Sequence, residues 1–230
     1  MTDLKVLSTH AVEGVLCELA PYYERATGVR PTFDYEPANA IRRRIENGIA
    51  FDVAIVTRPV IDSLIVQNKV RRENCTDIAR SGLGLAVRKG AARPDIASAD
   101  SFKRAILAAK SVMRSKDGTS GLYFETLLDR LGIADAMHGR IILGGSGRIA
   151  ELVARGEAEI AVQQIPELLA VTGADFVGPL PAELQLYTVF SAGVGATARE
   201  PAAAGDFVCC LTNPTFAPLY IAKGLEPMTR

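Results

Sequence analysis

The residues of this chain that could do chemistry gather in five short segments, each between an apolar run and an amphipathic stretch. Ser8-Thr9-His10-Ala11 offers two hydroxyls and an imidazole, the side chain that exchanges protons near neutral pH without special help. Glu36-Pro37-Ala38-Asn39 offers a carboxylate and an amide. Thr57-Arg58-Pro59 offers a guanidinium fork that matches a carboxylate or phosphate. Gly118-Thr119-Ser120-Gly121 offers backbone amides that an anion can approach closely, because the side chains are small. It lacks the lysine of a P-loop. Gly144-Gly145-Ser146-Gly147 fails as a nucleophile elbow, because Arg148 stands where glycine is required, and it lacks the third glycine of a dinucleotide site. Order and spacing support no Ser-His-Asp or Cys-His catalytic set.

Each segment also has a plainer reading. Ser8, Thr9 or Asn39 could simply cap a helix. Arg58 could sit in a surface ion pair. The run Arg42-Arg43-Arg44 points three ways from one helix and reads as a solvated face. The fifth segment reads as a structural loop.

These segments gain meaning from the elements that hold them. Strands are expected over residues 4–7, 31–35 and 53–56, alternating with helices over 13–27, 38–46 and 60–67. Gly28 is expected as the left-handed cap of the first helix. Such alternation implies parallel strands with crossover helices. Residues 82–88 then read as extended. Further strands follow over 111–114, 141–143 and 160–162, with helices over 101–109, 122–131, 148–155 and 166–170. A second extended run covers 184–194, and a last helix covers about 202–211. In parallel α/β sheets, ligands bind beyond the carboxyl ends of strands, where helix N-termini present free N–H groups and a dipole that favours anions. The five segments fall at such positions.

Composition narrows the function. The chain has 230 residues, 48% hydrophobic and 23% charged, enough for a sizeable core. Its 26 basic and 26 acidic residues cancel, unlike the basic footprint of a nucleic-acid binder. No apolar stretch is long enough to span a membrane. Cys17, Cys75, Cys209 and Cys210 lack the spacing of a zinc or redox site and are expected reduced and buried. With two histidines, no metal or other cofactor is expected. The N-terminus runs directly into an apolar segment without a recognisable secretion signal, so the chain as written is expected in the cytoplasm, or in the periplasm if a leader has been removed.

Several stretches carry a resemblance. They are residues 4–16 leading into 20–28, then Ile41-Arg42-Arg43-Arg44-Ile45-Glu46-Asn47-Gly48 followed by Phe51-Asp52-Val53-Ala54-Ile55. Further on come Gly121-Leu122-Tyr123 with residues 127–132, and residues 151–162. Through them the chain resembles the class II periplasmic solute-binding proteins, in the branch of molybdate-binding proteins of ABC importers. The resemblance implies an α/β fold of two Rossmann-like lobes joined by two crossing strands, with a ligand cleft between. The two long extended runs fit as the crossings, giving residues 1–82 with 188–230 as lobe one and 83–187 as lobe two.

The resemblance also implies an anion held by neutral donors and a tyrosine. The matched positions are His10-Ala11, Ala38-Asn39, Ser120, Gln163 and Tyr187. With the neighbouring donors, the expected ligand-binding residues are Ser8, Thr9, His10, Asn39, Arg58, Thr119, Ser120, Gln163 and Tyr187. Both lobe-one serines of the family are absent here. His10, Glu36 and Arg58 make the site more polar, so a small organic carboxylate suits it better than a bare oxyanion. Two functions follow. One is a solute-binding protein that presents its anion to an ABC permease. The other is an isomerase of unsaturated di- or tricarboxylates, similar to aconitate isomerase, with His10 and Glu36 moving the proton.

Overall fold

A computed structural model of the chain describes residues 2–145 and 147–228. The chain begins with β1 (Thr2–Ser8), a 3-10 turn over His10–Val12, α1 (Glu13–Thr27), β2 (Val29–Tyr35) and α2 (Ala38–Glu46). Next come β3 (Val53–Thr57), α3 (Arg58–Val66), β4 (Val70–Ser81), β5 (Leu83–Arg88), α4 (Ala99–Ala108) and β6 (Val112–Ser115). Then follow α5 (Thr119–Arg130), α6 (Ala134–Met137), β7 (Ile141–Gly144), α7 (Ala150–Ala154), β8 (Ile160–Gln164), α8 (Ile165–Leu169) and β9 (Ala174–Pro179). The chain ends with β10 (Thr188–Gly195), α9 (Pro201–Leu211), α10 (Ala217–Ala222) and β11 (Glu226–Pro227).

These elements form two compact units. One takes the chain up to Arg80 and from Thr188 onward; the other is Ser81–Tyr187. The first unit is built on a sheet of order β11-β4-β10-β3-β1-β2, in which β1 runs parallel to β2 and β3 while β10 is antiparallel to β3. The second has the order β7-β6-β8-β5-β9, with β6 parallel to β7 and β8, and β5 antiparallel to β8 and β9.

The central strands of both sheets are buried on both faces, and strand periodicity shows how. Leu4, Val6, Val53 and Ile55 enter one core, packed by α1 and α9, while Leu7, Ala54 and Val56 enter another, packed by α2 and α3. In the second unit Leu85, Val112 and Val162 face Phe102, Phe124 and Leu127, whereas Ala86, Met113 and Ala161 face Ile149, Val153 and Leu168. Each fully buried leucine, isoleucine or phenylalanine contributes roughly 1.5–3 kcal/mol. Gly28 caps α1 with φ 73°, its N–H bonding to the Glu24 carbonyl, as expected.

Several expectations need correction. β4 was not anticipated, because Arg71, Arg72, Glu73 and Asn74 interrupt any apolar run along a strand that stays partly solvated. β9, partly exposed along its length, also escaped. Residues 184–194 are not one strand: a 3-10 turn covers Ala182–Leu184 and β10 starts at Thr188. Between them Gln185 takes the place of a strand partner. Its Oε1 accepts from the Leu83 N–H at 2.7 Å, and its Nε2 donates to the Leu83 carbonyl at 2.9 Å. The cysteines are free but not buried: Cys17 and Cys209 are exposed, Cys75 and Cys210 intermediate. Helical periodicity turns Cys209 outward, while Phe207, Val208 and Leu211 of α9 face the core. Ser146 lies outside the described residues.

Candidate functional site

In the first unit, the carboxyl ends of β1, β2 and β3 form one edge. Ser8 pairs with both Tyr35 and Ile55. The Glu36 N–H bonds to the Ser8 carbonyl at 3.0 Å, and the Thr9 N–H to the Ile55 carbonyl at 3.1 Å. This ladder brings Ser8, Thr9, His10 and Glu36 together beside the first turn of α2, where Asn39 is the second residue. No side chain caps α2, and none caps the 3-10 turn that begins at His10. Thr9, at the N-cap of the 3-10 turn, makes no capping bond, and Asn39 lies inside α2 rather than at its N-cap. Ser8 is fully buried, and its hydroxyl donates to the Thr9 carbonyl at 3.3 Å. The Thr9 hydroxyl is buried with no hydrogen-bond partner among the described residues, a costly state unless something else satisfies it.

His10 is held on two sides. Its Nδ1 lies 2.9 Å from the Glu13 Oε2, and its ring stacks on Tyr35 with centroids 5.8 Å apart. Tyr35 in turn stacks on Phe33 at 5.7 Å. The imidazole is about one-fifth exposed.

Two sequence-predicted residues are committed elsewhere. The Glu36 carboxylate lies 2.5 Å from Arg44 Nη1, and Arg44 also pairs with Asp34 at 2.7 Å. The bond to Asp34, with Glu36 nearby, holds the guanidinium above its ordinary pKa. Glu36 is thus committed to a contact with Arg44. Arg58 donates from Nε to Asp62 at 2.9 Å and from Nη1 to Asp77 at 3.1 Å. Those two carboxylates raise its pKa further and satisfy its charge. The surface ion pair is the reading the geometry supports for Arg58, not the anion clamp.

In the second unit, the strand–helix turn from β6 to α5 is built by close approach. Ser115 Oγ accepts from the Gly118 N–H at 2.9 Å. A Cβ at Gly121 would lie 1.8 Å from the Ser115 carbonyl oxygen, so only glycine lets α5 sit this close to β6. Thr119 and Ser120 are the first two residues of α5, which has no side-chain cap; Ser120 is buried. By contrast α4, which follows the antiparallel strand β5, carries a full capping box from Ser98 and Ser101. Gln163 pairs with Gly84 in the β5 ladder, one residue past the Arg114–Val162 pair. Its Nε2 donates to the Gly147 carbonyl at 3.0 Å, which leaves a buried Oε1 without a partner among the described residues. That oxygen needs a donor to satisfy it. Tyr187, half-exposed, is the last residue of this unit.

The sequence reading missed Glu13, Tyr35, Ser115 and Arg114. Arg114 is a buried guanidinium that donates to the Ser115 carbonyl at 3.2 Å and pairs with Glu125 at 2.9 Å. An arginine inside the run Val112-Met113-Arg114-Ser115 was the available signal. Among the described residues no cluster of His, Cys, Asp and Glu could hold a metal ion, and no helix is long and apolar enough to cross a membrane.

Uncapped helix starts at the carboxyl ends of parallel strands leave free N–H groups in each unit, and comparison with known proteins gives the family. The chain belongs to the bacterial extracellular solute-binding protein family, whose model matches residues 4–226. Among curated relatives, an aconitate isomerase from Pseudomonas sp is 32% identical over 234 residues, covering 99% of this chain and 89% of that one. Among solved structures, the periplasmic molybdate-binding protein of Azotobacter vinelandii superposes with a TM-score of 0.81 at 19% identity, covering 96% of this chain and 98% of that one. A sulfate-binding protein from Mycobacterium tuberculosis gives 0.79 at 16% identity, over 99% and 88% of the two chains. At such identities the likeness to these two structures establishes the α/β periplasmic-binding-protein fold.

Proposed function

We propose that this chain binds a small unsaturated polycarboxylate and isomerises it by moving one proton along an allylic system, as an aconitate isomerase would. The observation that carries the reading is the His10–Glu13 pair, 2.9 Å apart at the carboxyl end of β1. A binding protein for a bare oxyanion has no use for a general base there. The 32% identity with the Pseudomonas enzyme, over nearly the whole chain, supports the same reading.

The reaction needs few parts. A base removes a proton from the methylene carbon beside the double bond. The electron pair left behind forms a new C=C, and the old double bond shifts away. The former vinylic carbon then receives the proton, so substrate and product have the same atoms. Charge that develops in between spreads onto the carboxylates, where hydroxyls and helix N–H groups stabilise it. In the first unit Ser8, Thr9, His10 and Asn39 are the proposed ligand-binding residues; within the second unit, taken by itself, they are Thr119, Ser120, Gln163 and Tyr187. Because Glu36 is tied to Arg44 and Arg58 to two aspartates, neither enters. His10 alone removes and returns the proton.

The test is direct. Purified protein is mixed with cis- or trans-aconitate, and interconversion is followed by proton NMR in H2O and D2O. Wild type is expected to equilibrate the isomers, and His10→Ala to lose about 10²-fold or more, the range for removing a general base. Full-rate conversion by His10→Ala would refute the role of His10. A second reading, an anion receptor serving an ABC permease, is favoured by the family and by the neutral donors at the start of α5. It is adopted instead if molybdate, tungstate or sulfate raises the melting temperature while carboxylates leave it unchanged.

A further inference from the structure

We infer that Glu13 is a positioning residue that fixes the His10 imidazole with its proton on Nδ1, so that Nε2 is the atom that accepts the substrate proton. This deepens the isomerase reading and rests on it for its catalytic meaning, although the tautomer itself can be measured without any substrate.

Local geometry explains why these two side chains meet. His10 opens a 3-10 turn, and Glu13 is the first residue of α1 directly after it. In a 3-10 turn, side chains three positions apart eclipse one another, so His10 and Glu13 stand on one side of the backbone. Their contact is 2.9 Å between Nδ1 and Oε2, a full hydrogen bond. An ionised carboxylate can only accept. A neutral His10 bonded to it must therefore carry hydrogen on Nδ1 and a lone pair on Nε2. An isolated imidazole prefers the opposite arrangement, so the carboxylate reverses an intrinsic bias. Tyr35, stacked at 5.8 Å with 28° between the planes, limits rotation of the ring. Tyr35 is the β2 residue that pairs with Ser8 in the sheet, so the stacking partner is anchored to the strand that ends just before His10. Together a carboxylate and an aromatic face set both the tautomer and the plane of the imidazole. A merely structural Glu13 would favour the start of α1 through the helix dipole and would leave the tautomer of His10 indifferent.

The experiment uses the full chain, uniformly labelled with 15N, at about pH 8, where imidazole is largely neutral. Long-range 1H–15N correlation spectra distinguish protonated from unprotonated ring nitrogens. His138 is the only other histidine in the sequence, so assignment needs one control variant, His138→Asn. The expected result is an Nδ1–H tautomer for His10 in the wild type, moving toward Nε2–H or a mixture in Glu13→Ala. Glu13→Gln keeps the shape of the side chain but can donate as well as accept, so it no longer dictates the tautomer. It covers the case in which the alanine variant fails to fold. In turnover of aconitate, both variants are expected to lose about ten- to a hundredfold in kcat with KM changed less than about threefold, since the ligand donors are untouched. An Nε2–H tautomer in the wild type, or an unchanged tautomer in both variants, overturns the inference. If no carboxylate is turned over but the tautomer responds as expected, the positioning role stands and the isomerase reading falls.

Discussion

Gly121→Ala tests the construction of the α5 start most severely. The added Cβ would lie 1.8 Å from the Ser115 carbonyl oxygen, 2.8 Å from its carbon and 3.1 Å from its nitrogen. These are backbone atoms of Ser115, which pairs with Gly144 of β7 directly after the Arg114–Val162 pair with β8, so they have little room to swing away. To restore a normal contact, α5 must withdraw by more than about 1 Å, which opens the packing of Phe124, Leu127 and Leu128. Overpacking of this kind costs typically 1–3 kcal/mol, and a backbone collision belongs at the upper end; the better helix propensity of alanine returns up to about 1 kcal/mol. The expected net loss is about 2 kcal/mol or more. The same withdrawal moves Ser120, so affinity for a carboxylate is expected to fall about tenfold. Urea unfolding followed by circular dichroism, with a ligand titration on the folded protein, measures both. Gly145→Ala is the control, since nothing lies within 4 Å of its Cβ and its φ is not positive; it should stay within about 0.5 kcal/mol of the wild type. If Gly121→Ala matches that control in stability, the close approach of α5 to β6 is not what the glycine provides.

Arg58→Ala is expected to change stability by less than about 1 kcal/mol, because its ion pairs are largely exposed, and to leave carboxylate affinity within about twofold in a titration. Asp77→Ala should cost more, about 1–3 kcal/mol in urea unfolding, since it strands the fully buried Ser191 hydroxyl that donates to Asp77 at 2.6 Å. Tyr220 is buried and donates to the Leu211 carbonyl at 2.9 Å; burial, with Cys210 nearby, pushes its phenol above the ordinary range. Above about pH 10 the unfolded chain therefore releases a proton that the folded chain keeps. Stability falls there by up to about 1.4 kcal/mol per pH unit from this group. Tyr220→Phe should cost about 1 kcal/mol at neutral pH and flatten that alkaline decline, as measured by urea midpoints across the range.

The parts of the fold that were legible in the sequence are those where burial is two-sided and complete. β1, β3 and β8 read as strands because Leu4, Val6 and Leu7, then residues 53–56, then residues 160–162 form apolar runs that are buried. β4 did not, because a strand whose middle residues meet solvent has no hydrophobic signature to read. That single omission propagated into the site. Asp77 lies on β4, so without β4 only Asp62, four residues on, offered Arg58 a partner, and the second carboxylate that completes the pairing went unseen. Glu36 misled in the same way. Its partner, Arg44, lies eight residues on, and the run of three arginines gave no reason to single that one out.

The outcome has a consequence for chemistry. Once Arg58, Arg44 and Glu36 neutralise one another or their neighbours, the strand ends of the first unit keep hydroxyls, helix N–H groups and one imidazole. Neutral donors stabilise a carboxylate without strongly desolvating a counter-charge, so they can hold substrate and product alike. In the proposed isomerase, His10 then decides whether binding becomes turnover. A spacing of three residues hid the partner of His10, because periodicity arguments apply within an element and His10 and Glu13 straddle two. The eclipsed geometry of a 3-10 turn, invisible as a pattern, is what joins them.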